Sequence, residues 1–264
     1  MNSISAIILT YNEEINIEIC LKNLKDWANE IFIVDSFSTD KTLEIAKNYG
    51  CQIIQHEFIN QAQQFNWALE NLDIKNDWIL RLDADEYLTE ELKKEISEKL
   101  ENVPSDVFGF LMKRRVYFMG KWIKHGGYYP TWILRLFKKG KAKSEDRTMD
   151  EHIILLEGKV EKFKNDFIDD NKKNLTYWVE KHNNYALREV KDILQNDIGQ
   201  GKKRKIYYKL PVFFRVFLYF VYRYFIRFGF LDGKEGLIFH FLQGFWYRFL
   251  VDAKICEIKK SLKK

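Results

Sequence analysis

The first hundred residues alternate between two hydrophobic periods, and this restricts the fold more than any other feature of the chain. Short apolar runs occur at 5–10 (SAIILT), 31–35 (IFIVD), 51–56 (CQIIQH) and 77–85 (DWILRLDAD). Each is followed by a stretch with helical spacing. These are NEEINIEICLKNLKDW, with acids in its first turn, STDKTLEIAKNYG, closed by Gly50, NQAQQFNWALENL (60–72), and TEELKKEISEKL (89–100), opened by a threonine cap. Runs that are apolar almost throughout suit strands covered on both faces. Their alternation with helices predicts an α/β fold with a mostly parallel sheet between helical layers.

After residue 104 the pattern changes. Longer mixed strands are expected at 108–123 and 131–140, around the loop KHGGYYP. Residues 151–163 read as two strands turning near Gly158, and 174–196 as a long helix. The break GQGKKRK (199–205) is taken as a boundary, giving a body of 1–200 and a segment of 201–264. At 264 residues and 46% hydrophobic composition the chain can bury a substantial core. Its three cysteines, Cys20, Cys51 and Cys256, are scattered and odd in number, so neither a disulfide framework nor a CxxC pair is expected. A reducing compartment follows. The N-terminus lacks a basic region before its apolar run, so no signal peptide is expected, and no stretch resembles an ordinary transmembrane helix.

Charge is distributed unevenly. Residues 1–100 hold 9 Lys and Arg against 19 Asp and Glu, a net of −10, whereas residues 201–264 hold 15 against 4, a net of +11. An acidic start and a basic end imply two tasks on two surfaces.

Ligands of open parallel sheets bind at the carboxyl ends of the strands. Here those ends carry Thr10-Tyr11-Asn12-Glu13, Asp35-Ser36 and Asp83-Ala84-Asp85-Glu86. In extended chain Asp83 and Asp85 point the same way, and paired carboxylates repel unless a cation lies between them. Mg²⁺ or Mn²⁺, completed by substrate phosphates, is the expected partner. No GxGxxG follows the first strand, no GxxxxGK[ST] occurs, and the first turn, YNEE, lacks the glycines expected of a sugar nucleotidyltransferase. What remains is an enzyme that uses metal to hold a nucleoside diphosphate as leaving group.

TYNEE, the VDSFSTDKT block and WILRLDADEYL together resemble the inverting GT-A glycosyltransferases of family 2. The resemblance continues through WIKHGGYYPTWILRLFKKG and MDEH to WVEKHNNYALRE, segments similar to those of bacterial enzymes building lipopolysaccharide core, capsule or exopolysaccharide. It implies a GT-A fold whose residues 1–103 bind the nucleotide and whose residues 104–200 face the acceptor. Thr10, Tyr11, Glu13 and Asp35 would cradle the nucleoside, with Tyr11 stacked on the base. Asp83 would face the ribose and the metal, and Asp85 would be the better direct ligand. Gln64 and Asn66 would contact nucleotide or sugar. Arg135, with His125 and Tyr128 before it, would contact diphosphate or acceptor. The general base would come from Asp150-Glu151-His152, where the family more often has Glu-Asp. That departure leaves the base open between Asp150 and Glu151, with Glu151 preferred, and His152 would help bind diphosphate or metal.

The end of the chain has its own chemistry. Residues 202–228 contain eight Lys or Arg, no acid and eleven Tyr or Phe. On a helix, Lys209, Arg215, Arg223 and Arg227 share one flank and apolar residues fill the rest. That pattern predicts an amphipathic extension lying on an anionic membrane. So much bulky apolar surface argues against a nucleic-acid groove; an oligomer interface is the competing reading. The whole describes a metal-dependent enzyme peripheral on the cytoplasmic face of the inner membrane, moving a sugar from a nucleotide donor to a glycan or lipid-linked acceptor. A sugar nucleotidyltransferase and a non-catalytic membrane scaffold are the alternatives.

Overall fold

A computed structural model describes residues 3–145, 152–194 and 202–261. In chain order its elements are β1 (Ile4–Thr10), α1 (Ile17–Leu24), β2 (Glu30–Asp35), α2 (Thr42–Asn48), β3 (Gln52–Gln55), α3 (Gln61–Asn71), β4 (Trp78–Asp83), β5 (Glu86–Leu88) and α4 (Glu90–Glu101). Then come β6 (Val107–Phe118), β7 (Lys121–Trp122), β8 (Thr131–Lys138), β9 (Ala142–Ser144), β10 (Ile153–Leu155), β11 (Lys159–Asp169) and α5 (Leu175–Leu194). The last elements are α6 (Lys202–Lys209), α7 (Phe214–Val221), α8 (Gly233–His240) and α9 (Tyr247–Ser261). The expected strand–helix order is present. So is the mixed α/β architecture with helices at its C-terminal end.

The chain divides into two compact units, residues 1–117 with 130–172 and residues 118–129 with 173–264. This differs from a division near residue 200. The apolar stripe of α5, with Ala186 and Val190, is buried against Tyr247, Val251 and Ile255 of α9, so α5 belongs with the C-terminal helices.

The first unit is built on a sheet with strand order β3-β2-β1-β4-β8-β6-β11-β5. β3, β2, β1 and β4 run parallel. β8 is antiparallel to both β4 and β6, while β11 is parallel to β6. Side chains alternate between faces along β1. Ile4, Ala6 and Ile8 join α1 and α4 in one core, while Ile7 joins Phe65 and Ala68 of α3 in the other. Burial on both faces is why these strands read as unbroken apolar runs. Local signals set the helix starts. Asn60 Oδ1 accepts from Gln63 N at 2.8 Å, and Thr89 Oγ1 accepts from Leu92 N at 3.2 Å, capping α3 and α4.

The second unit holds its polar groups inside. Asp252, buried on α9, accepts from Arg215 Nε at 3.0 Å and from Phe213 N at 3.0 Å. Glu189 on α5 accepts from Tyr208, Tyr247 and Arg248. Asp232 accepts from His125 N at 2.9 Å and from its Nδ1 at 2.6 Å, and Arg223 Nε donates to the Gly126 carbonyl at 3.1 Å. Gly126 has a φ of +68°, and a Cβ there would lie 2.0 Å from His240 Cε1, so only glycine fits. These pairs correct the reading of a basic flank. Arg215 and Arg223 are buried, not turned outward, while Lys209 and Arg227 remain exposed. The partners of Arg215 and Arg223 lie outside the acid-free window, and a helical projection of that window cannot show them.

His182 on α5 stacks on Trp178 at 3.5 Å between ring centroids. Its Nδ1–H donates to the Trp178 carbonyl at 2.8 Å, and Nε2 accepts from Gln243 at 2.8 Å. Burial pushes its pKa down to about 4, with the Trp178 carbonyl opposing and Lys181 adding to the fall. The unfolded chain therefore takes up a proton below the ordinary value of 6.5 while the folded one does not. Stability contributed by neutral His182 is complete above pH 6.5 and is lost as pH falls toward 4. Thermal melts should show wild type losing more stability between about pH 7.5 and about pH 5 than His182→Phe, by about 1–2 kcal/mol. An equal loss in both proteins would contradict this.

Candidate active site

The carboxyl ends of β1, β2 and β4 lie side by side because their register is parallel. Thr10 is opposite Asp35, and Leu9 is opposite Asp83. Asp35 is fully buried, and its carboxylate accepts from Thr10 Oγ1 at 2.9 Å, Ser38 N at 2.8 Å and Ser38 Oγ. The two loops beyond are laced together. Asn12 N donates to Ser38 Oγ at 2.8 Å, Thr39 N to Asn12 Oδ1 at 2.8 Å, and Glu13 N to Thr42 Oγ1 at 2.7 Å. Asp35 thus acts as the hub that holds both loops, while Tyr11 stands 59% exposed above it.

β4 ends at Asp83, and the chain turns at Ala84 and Asp85 into β5. The expectation that Asp83 and Asp85 point the same way from one extended strand is therefore corrected, since the turn re-aims Asp85. Asp83 Oδ2 accepts from Arg135 Nη2 at 3.2 Å and Oδ1 from Arg81 Nη2 at 3.4 Å, while Asp85 Oδ2 accepts from Asn171 Nδ2 at 2.7 Å. Glu86 is buried, pairs with Arg135 at 2.5 Å, and accepts from Asp83 N at 2.9 Å. Burial pushes its carboxyl up to about 8. Arg135 pulls it down, and the nearby Asp83, Asp169 and Asp85 push it further up.

The other expected residues fall differently. Arg135 is buried in β8 and bonded to Asp83 and Glu86, so it serves the acidic edge from beneath. Gln64 is buried. Its Oε1 accepts from His56 Nδ1 at 2.7 Å and its Nε2 donates to Ser36 Oγ at 3.2 Å, tying α3 to the ends of β2 and β3. Asn66 clamps β9, donating to the Ser144 carbonyl at 3.0 Å and accepting from Ser144 N at 2.8 Å. Both amides make hydrogen bonds within the protein that position the elements around them. His125 and Tyr128 lie in the second unit, His125 on Asp232 and Tyr128 beneath the Arg223 guanidinium at 4.4 Å.

Asp150 and Glu151 lie outside the described residues. The chain flanking them is pinned, since Ser144 pairs with Ile153 across the β9–β10 hairpin and Glu145 N donates to the His152 carbonyl at 2.9 Å. His152 Nδ1 is 3.7 Å from Glu145 Oε2. Among the described residues no group of three His, Cys, Asp or Glu side chains gathers as a metal cage, so His152 does not join Asp83 and Asp85. Those two carboxylates still fit a hard divalent cation. They are oxygen donors beside Glu86, a carboxyl that burial, and then the surrounding acids, make hard to ionise. Mg²⁺ or Mn²⁺ commonly takes one or two carboxylates and completes its shell from phosphate and water.

Sequence reasoning assigned no role to Glu86, Ser38, Asn171 or Phe37. Glu86 stood beside the paired aspartates, and its placement before Tyr87 and Leu88 in a buried edge strand was the missed signal. Phe37 has a φ of 61° and is 55% exposed. A bulky side chain held at positive φ costs roughly 1–3 kcal/mol and such strain concentrates at functional sites.

A layered α/β sheet with two loops and an acid cluster at its carboxyl edge defines the class of enzymes that bind nucleotides at strand ends. Residues 5–148 match glycosyl transferase family 2, and the chain belongs to that family. It is 32% identical over 270 residues to the "Uncharacterized glycosyltransferase" of Rickettsia bellii, covering 97% of this chain and 86% of that one. A second relative, from Rickettsia felis, is 30% identical over 270 residues, covering 97% of this chain and 90% of its own. In fold it is similar to the mannosyltransferase PcManGT from Pyrobaculum calidifontis, solved with GDP-Man and Mn²⁺. The TM-score is 0.54 at 14% identity, over 96% of this chain and 87% of that one. The fold is of the GT-A type and the protein is a glycosyltransferase, which sets aside the nucleotidyltransferase and scaffold alternatives.

Because Arg135 is the buried partner of Glu86, removing it alone leaves that carboxyl without its cation, while Asp83 keeps Arg81. Arg135→Met should cost about 3–5 kcal/mol in chemical denaturation. Adding Glu86→Gln should restore a large part of that loss. A double variant as unstable as the single one would show that the pairing is not what Arg135 contributes.

Proposed function

We propose that this enzyme moves a sugar from a nucleoside-diphosphate donor, UDP-sugars first, to a glycan or lipid-linked acceptor, with inversion and with help from Mg²⁺ or Mn²⁺. The observation that supports this most is the meeting of Asp83 and Glu86 on Arg135, with Asp85 in the turn between them, at the strand ends next to the loops held by Asp35. Thr10, Tyr11 and Glu13 cradle the nucleoside, Tyr11 offering an exposed ring to the base. Asp35 sets the shape of that cradle through Ser38 and Thr10. The metal, when bound by Asp83 and Asp85, offsets the charge of the leaving diphosphate. The GDP-Man and Mn²⁺ of the Pyrobaculum enzyme are in keeping with this donor and metal class.

Inversion requires the acceptor hydroxyl to attack the anomeric carbon from the side opposite the diphosphate. Glu151, or Asp150 beside it, takes the proton of that hydroxyl. Asn66, by holding Ser144, fixes one end of the segment that carries them. The lipopolysaccharide, capsule or exopolysaccharide context implied by the sequence, and a place on the inner face of the cytoplasmic membrane, belong to the same reading.

A panel of nucleotide sugars screened for metal-dependent release of UDP or GDP tests the reaction class. Asp85→Asn should remove most of the activity and weaken UDP binding chiefly when Mn²⁺ or Mg²⁺ is present. Wild-type binding and turnover in that variant would remove Asp85 from the metal site.

Glu151→Gln should leave donor binding intact and lower transfer by roughly 10²–10⁴-fold. If Asp150→Asn abolished transfer while Glu151→Gln spared it, the base would be Asp150. If both variants were active, the general base would lie elsewhere.

A further inference from the structure

The second unit turns apolar surface outward on a scale a soluble surface does not need. Phe214, Phe217, Phe225, Ile226, Phe228 and Leu231 are each more than half exposed, and all lie within eighteen residues of chain. Phe225 and Phe228 join a connected aromatic framework through Tyr224 and Phe230. Ring contacts run from Phe213 to Phe249 (4.8 Å), Phe245 (6.1 Å), Phe220 (6.0 Å), Tyr224 (5.5 Å) and Phe230 (6.3 Å). Contiguous exposed apolar patches of this kind mark a surface that meets a partner or a membrane.

Charge identifies the partner. The arginines expected to reach outward are inside, Arg215 on Asp252 and Arg223 on the Gly126 carbonyl. Among the described side chains of residues 206–234, the cations left exposed are Lys209, Arg227 and Lys234. Residues 202–234, which carry these cations, hold one acid, Asp232, and it is buried; Glu235 just beyond is half-buried. A second copy of this chain, docked face to face, would bring these cations against each other with no fully exposed acid beside them. An anionic bilayer offers hydrocarbon to the aromatics and headgroup phosphate to the cations. Among the described residues no helix is long and apolar enough to cross a membrane, so the face lies in the interface rather than spanning it.

We infer that the second unit is an interfacial membrane anchor. The phenylalanines of α7 and of the turns that follow it enter the acyl boundary of an anionic leaflet, while Lys209, Arg227 and Lys234 rest among the headgroups. This deepens the membrane reading of the proposed function by moving the main attraction from arginine charge to inserted aromatic surface. It implies an acceptor presented at the leaflet surface, because the anchor confines the enzyme there.

The test uses the full chain and vesicles of neutral lipid, with and without about one quarter anionic lipid, and needs no nucleotide. It therefore stands or falls apart from the transferase reading, which is read by UDP release. Wild type should bind the anionic vesicles, and a clear part of that binding should survive about 0.5 M NaCl, where headgroup attraction is screened. Phe214→Ser combined with Phe217→Ser and Phe225→Ser should lower partitioning about tenfold or more. All three residues are exposed, and an unchanged melting curve confirms the fold. Arg227→Gln with Lys234→Gln should lower the preference for anionic over neutral lipid while sparing the salt-resistant part. The inference is overturned if the triple variant binds like wild type, or if salt removes all binding. It is equally overturned if wild type ignores vesicles and instead forms a dimer that the triple variant dissociates.

Discussion

The first unit depends on one buried guanidinium. Arg135 lies in β8, which runs antiparallel to β4, and it reaches both Asp83 at the end of β4 and Glu86 at the start of β5. β5 in turn pairs with β11, Asp169 facing Glu86. One side chain therefore couples the parallel strands to the antiparallel ones. A buried arginine is tolerated only when its charge is matched, so acids had to stand where the chain leaves β4. The same acids, in excess over the arginine, leave that edge fit for a cation. Structural and chemical demands are met by one cluster.

The second unit solves a different problem with the opposite distribution. Asp232, Asp252 and Glu189 are withdrawn into the interior, where they organise arginines, tyrosines and His125. These acids are satisfied internally and phenylalanines are left at the surface. That order reverses the usual partition of a soluble helical body.

Much of the first unit was legible in the sequence because local and tertiary signals agree there. Unbroken apolar runs became β1, β2 and β4, and the Asn60 and Thr89 caps fixed α3 and α4. The strand ends also announced the acidic edge. Less legible were features that depend on partners far away in the chain. Gln64 and Asn66 read as contacts to nucleotide or sugar, and no local signal showed that Asn66 bonds Ser144, seventy-eight positions on. Arg215 looked like part of a basic flank, yet Asp252 lies thirty-seven positions beyond it. The turn that re-aims Asp85 was hidden because the strand read as continuing through Asp85. A window read along the chain sees period and cap; it does not see which distant group completes a buried charge.

The account rests on a metal held jointly by two carboxylates of the protein and by the diphosphate of the donor. Joint holding makes metal and nucleotide binding cooperative, and linkage makes the effect reciprocal. The most direct measurement is calorimetric titration of Mn²⁺ into the full chain with and without UDP, repeated with the order reversed. The account predicts weak Mn²⁺ binding alone, tighter binding when UDP is present, and the same factor when UDP is titrated against Mn²⁺. Mn²⁺ and UDP affinities that are independent of one another would contradict it.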